Sequence, residues 1–114
     1  MWQKAMDLVD MIYDVVEGFP PRENFGLSSQ LTRAAVSVPA NIAEGRARSS
    51  AKDFANFLTM ARASLMEVDT LIAVAERRAY VSAEAADITL KQVSEISRML
   101  SGLKRRISEP RGGN

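Results

Sequence analysis

Apolar residues recur at steps of three and four through almost the whole chain, the spacing that lines one face of an α-helix. Trp2, Ala5, Met6, Val9, Ile12, Tyr13, Val16 and Phe19 make the first series, and Lys4, Asp7, Asp10, Asp14 and Glu17 take the other face. Gly18 and the Pro20-Pro21 pair end it, because proline rings forbid continued helical hydrogen bonding. Leu31, Ala34, Ala35, Val38 and Ile42 form a second series that runs to Gly45. Ser50-Ala51-Lys52-Asp53 reads as a capping box opening the longest run, Phe54, Phe57, Leu58, Ala61, Leu65, Val68, Leu71, Ile72 and Ala75. Ser82 caps a fourth series of Ala85, Ile88, Val93, Ile96, Leu100, Leu103 and Ile107, which Glu109-Pro110 closes. The predicted helices cover about 1–18, 27–47, 50–78 and 82–108, with 109–114 a frayed tail.

Four amphipathic helices joined by short connections, with no alternating run to make a strand, predict an all-α single domain. Short loops place sequence neighbours side by side, so the expected architecture is an antiparallel up-and-down four-helix bundle. Pro39 falls inside the second helix, where its ring meets the carbonyl of Ala35 and costs about 3 kcal/mol without compensation. The reading is one helix kinked at Pro39; the alternative is a helix ending near Ser37 and a fresh start at Pro39. Helices this long on so short a chain leave much side surface open, which favours association. Trp2, Tyr13 and Tyr80 read as core or loop-anchoring aromatics.

Composition narrows the chemistry. The chain has 114 residues, no Cys and no His, which excludes thiolate metal sites, imidazole proton shuttles and the Ser-His-Asp and Cys-His nucleophile systems. Glu44, Glu67 and Asp69 are acids near apolar stretches and read as salt bridges or caps, so no catalytic residue, metal ligand or cofactor is expected. No apolar run reaches the length of a membrane span or a secretory leader, and the expected location is the cytoplasm. The net charge is +1, but residues 25–62 hold five bases and two acids and residues 98–114 hold five bases and one acid. Arg33, Arg46, Arg48 and Lys52 are therefore candidate phosphate contacts for RNA or DNA. Solvated helix faces or pairing between subunits account for the same residues.

Residues 33–45, RAAVSVPANIAEG, place Ser37, Pro39, Asn41 and Gly45 close together, a combination a helix interior does not need for an apolar face. A close helix crossing allowed by Ala34, Ala35, Ala40 and Ala43 accounts for it; a ligand or partner site is the alternative. AAVSVPANIAEG at 34–45, with FGLSSQL at 25–31, DFANFLTMARASLMEVDTLIAVA at 53–75 and WQKAMDLVDMIYDVVEGFP at 2–20, resembles the four-helix bundle family named for 23S ribosomal RNA intervening sequences. The resemblance implies a kinked second helix, a signature of Ser37, Pro39, Asn41, Glu44 and Gly45, and a homopentamer. It also implies kinship with accessory proteins of diversity-generating retroelements, hence a nucleoprotein partner. Thr32 and Ala63 depart from the pattern, standing where the family usually has a basic residue and Gly. The expected function is a non-enzymatic, homo-oligomeric scaffold that engages nucleic acid or a nucleoprotein; the alternative is a protein-binding adapter with no nucleic-acid role.

Overall fold

A computed structural model describes residues 1–108. The chain order is α1 (Trp2–Val16), a 3₁₀ turn (Pro21–Glu23), α2 (Leu27–Arg46), α3 (Ala51–Arg77) and α4 (Ala83–Ser108). The tail expected at 109–114 lies outside the described residues. α1 packs against α2 and α4, and α3 against α2 and α4, as in an up-and-down four-helix bundle. Its extents of 56 × 24 × 19 Å make it a rod, since α3 with 27 residues spans about 40 Å.

The helix ends follow local chemistry. Ser50 Oγ accepts from the Asp53 N–H at 3.0 Å, and Ser82 Oγ accepts from the Ala85 N–H at 3.1 Å. Pro20 and Pro21 precede α2, whereas Pro39 lies within it, buried. α2 runs through Pro39 as one helix, and the fresh start at Pro39 does not occur.

The core is a single seam of Leu8, Ile12, Leu31, Val38, Ile42, Leu58, Leu65, Val68, Ile72, Ile96 and Leu100, with small residues between them. Two expectations change here. In α1 the inward row is Ala5, Leu8 and Ile12, whereas Trp2 (39% exposed) and Tyr13 (51%) face out with Met6. In α4 the inward row takes Thr89 and leaves Ile88 58% exposed. Thr89 tolerates burial because its hydroxyl donates to the Ala85 carbonyl at 3.0 Å.

At the end where α1 meets α2 and α3 meets α4, Tyr80 joins both connections. Its ring packs on Phe19 at 5.4 Å, and its hydroxyl donates to Glu23 Oε2 at 3.0 Å. Glu23 Oε1 accepts the Leu27 N–H at 3.1 Å, satisfying one of the free donors that open α2. That N–H first, and the Tyr80 hydroxyl second, hold the Glu23 carboxyl below the ordinary carboxylate value. A depressed folded-state pKa stabilises the fold above the unfolded-state value, and the contribution is lost as pH falls through the folded one.

α3 ends in a Schellman turn, with Tyr80 N–H bonded to the Ala75 carbonyl at 2.9 Å and Ala79 at φ 63°. A Cβ is strained in this left-handed conformation. Relieving about 1–2 kcal/mol of left-handed strain against about 0.5–1 kcal/mol of glycine entropy, Ala79→Gly is expected to stabilise the protein by about 0.5–1 kcal/mol, read as a higher urea midpoint at unchanged slope.

Candidate nucleic-acid interface

The candidate residues separate into two places. The signature residues Ser37, Asn41, Glu44 and Gly45 knit α2, its side chains and the start of the next connection to α3. Ser37 and Ser64 hydroxyls are hydrogen-bonded across the two helices. Asn41 Nδ2 donates to the Ser37 carbonyl at 2.8 Å, so it serves Ser37 and not the Ala35 carbonyl beside the proline. A Cβ on Gly45 would lie 2.8 Å from Phe54 Cδ1 and 2.9 Å from Phe57 Cβ. The missing side chain is what lets α3 approach. Glu44 pairs with Arg48 at 2.8 Å, and the Arg48 guanidinium sits over the Phe57 ring at 4.8 Å. The motif thus performs the close crossing, and Glu44 and Arg48 fasten its outer edge.

The basic residues gather at one end of the rod. Antiparallel order brings the start of α1, the end of α2, the start of α3 and the end of α4 together. Arg46, Arg48 and Lys52 arrive from the α2–α3 connection, and Arg98, Lys104, Arg105 and Arg106 from the final turns of α4. Among the described residues, the acids within three positions of these bases are Glu44, Asp53 and Glu95; Glu44 is already paired with Arg48 and Glu95 with Lys4. The opposite end collects Asp10, Asp14, Glu17, Glu23, Glu76, Glu84 and Asp87, offset by Arg22, Arg77, Arg78 and Lys91. The near-neutral sum therefore conceals a basic end and an acidic end.

Arg33 does not join the basic end. It lies in the upper half of α2, in a shallow depression with Gln30, Ala34, Ser37 and Glu67. Arg48 is at the basic end but is engaged by Glu44 and Phe57. Arg46 and Lys52 remain exposed there, and Arg98, Lys104, Arg105 and Arg106 join them. The run Lys104-Arg105-Arg106 was legible as a charge cluster; its meeting with Arg46 needed the helix order. Among the described residues no group of three or more acidic side chains could hold a metal ion, and no helix is long and apolar enough to cross a membrane.

The sequence matches the family described as 23S rRNA-intervening sequence protein over residues 1–102. The fold is similar to the crystal structure of a protein with unknown function from the S23 ribosomal protein family of Bacteroides thetaiotaomicron. The TM-score is 0.85 at 23% identity, covering 91% of this chain and 97% of that one. No curated protein matches.

The two glycines near the basic end should respond oppositely to the same change. Gly45→Ala meets Phe54 and Phe57, and overpacking of about 1–3 kcal/mol outweighs the helix-propensity gain of about 1 kcal/mol. Gly102→Ala meets nothing within 4 Å and should keep that gain. Thermal melts of both variants check the pair: Gly45→Ala should lower the midpoint and Gly102→Ala should raise it.

Proposed function

Because the chain belongs to the 23S rRNA-intervening sequence protein family, which it matches over residues 1–102, we propose that it is a non-enzymatic, self-associating helical scaffold whose basic end engages RNA or DNA, alone or within a nucleoprotein. The observation that carries the reading is the convergence of Arg46, Lys52, Arg98, Lys104, Arg105 and Arg106 from three helices on one end of the rod. Cations so arranged contact phosphates, which position a nucleic acid without reading its sequence. The reading places the protein in the cytoplasm, and the kinship with retroelement accessory proteins that the family resemblance implies belongs to the same proposal.

Self-association is supported by a second apolar stripe on α1. Trp2, Met6, Val9 and Tyr13 follow the 4-3-4 spacing of a coiled-coil seam beside the buried row, with Trp2, Met6 and Tyr13 exposed and Val9 partly buried against the core. Met60, Met66 and Val74 leave α3 with exposed apolar surface too. Two different faces suit a heterologous interface, which closes into a ring; the proposed assembly is a homopentamer of about 60 kDa. The same exposed faces also support the second reading, a protein-binding adapter.

Two measurements test these statements. Light scattering at tens of micromolar should return the pentamer mass and a smaller species for Met6→Glu; a stable wild-type monomer would overturn the assembly. Binding of RNA and duplex DNA should weaken with salt, and Arg46→Gln with Lys52→Gln should flatten log K against log salt by up to about 2 per subunit engaged. Arg33→Gln should leave that slope unchanged. No binding of any nucleic acid at low salt would leave the adapter reading.

A further inference from the structure

The basic end contains a cleft as well as a charged surface. The start of α1, the end of α2 and the last turns of α4 border an open groove of about 410 Å³, a volume in the range of small-ligand sites, about 300–1,000 Å³. Its walls divide by chemistry. Arg46 from α2 and Arg98 and Arg106 from α4 supply three guanidinium groups, while Met1, Met99 and Leu103 supply thioether and aliphatic surface. Gly102, also in the lining, adds no side chain.

Among the described residues, no carboxylate lies within 4 Å of Arg46, Arg98 or Arg106. Arg98 donates to the Ser94 hydroxyl at 3.1 Å, a neutral partner one turn back. Arg98 and Arg106 stand eight residues apart on α4, about 12 Å along its axis, with Arg46 facing them from α2. Like charges lining one groove repel, and a bound anion relieves the repulsion while accepting forked, charge-assisted hydrogen bonds, for which Arg98 has only the neutral Ser94 contact to give up. A simple inorganic anion would leave the Met1, Met99 and Leu103 surface uncovered. A ligand with an anionic group at one end and a flat, polarizable apolar group at the other covers both, and methionine sulfur is a favourable neighbour for an aromatic ring.

We propose that this cleft is a nucleoside-phosphate site, with the phosphate held by Arg46, Arg98 and Arg106 and the base laid on Met99 and Leu103. The ligand is either a free nucleotide or the phosphorylated end of a single strand, and only the second case rests on the nucleic-acid reading above. A base inside a duplex is stacked on its neighbours and cannot enter, so the site selects unpaired nucleotides.

Titration calorimetry with adenosine 5′-monophosphate, adenosine and inorganic phosphate tests the site, and competition by single-stranded hexanucleotides with and without a 5′-phosphate separates the two sources. The monophosphate should bind saturably and at least tenfold tighter than either adenosine or phosphate. The double variant Arg98→Gln, Arg106→Gln should lose at least tenfold at a thermal midpoint no lower than the parent's, whereas Arg62→Gln on α3 should lose nothing. Trp2, the single tryptophan of the chain, stands beside Met1 and should report occupancy in its emission. Equal affinity for adenosine or phosphate, or indifference of the double variant, would overturn the proposal. Monophosphate binding with no oligonucleotide binding keeps the cleft and assigns it to free nucleotides, leaving the nucleic-acid reading to its own test. Oligonucleotide binding without monophosphate binding overturns the cleft and keeps the nucleic-acid reading.

Discussion

The close approach of α2 to α3 is the constraint on which the other contacts rest. α2 contains a proline that removes one backbone donor and a glycine near its end, both unfavourable in an isolated helix by about 3 and 1 kcal/mol. It persists because burial against α3 repays the deficit: Leu31, Ala35, Val38 and Ile42 are all fully buried, and each large apolar side chain so buried contributes about 1.5–3 kcal/mol. The approach itself depends on Gly45, whose missing Cβ admits Phe54 and Phe57. Phe57 held there gives Arg48 a ring to cover, and Arg48 in turn holds Glu44. Changing the glycine would disturb the whole hairpin that presents Arg46 and Lys52.

Much of this was legible from apolar spacing alone. Helix existence, order and starts at Ser50 and Ser82 follow from periodicity and capping oxygens, which act within one or two turns. The inward direction of α1 was not legible. Its apolar residues fill two adjacent stripes, one through Ala5, Leu8 and Ile12 and one through Trp2, Met6 and Tyr13, and both have helical spacing. Only packing against α2 and α4 decides between them, and it selects the row with the smaller aliphatic side chains. The same ambiguity exchanges Ile88 for Thr89, whose hydroxyl finds its own carbonyl and so enters the core at little cost.

The basic residues show where sequence proximity misleads. Arg33 and Arg46 belong to one segment by number, but lie far apart along α2; Arg46 and Arg106 are distant in number and share a cleft. Arg46 and Arg48, two positions apart, differ equally in circumstance, one lining that cleft and the other fastened to Glu44 and Phe57. A charge count along the chain cannot separate them, because the distinction arises from antiparallel helix order and from the ring that Gly45 admits.

The separation of charge along the rod changes what the isoelectric point means for this molecule. The two ends stand on the order of 40 Å apart, the length of α3, whereas ionic atmospheres at physiological salt decay over about 8 Å. Counterions therefore gather around each end on its own terms, and a solute at one end is screened from the charge at the other. A pI of 8.1 describes migration in an electric field, where all charges act at once. It says little about retention on an ion-exchange matrix, where one end touches the resin: the same protein should be held by cation and anion exchangers alike, presenting opposite ends to each.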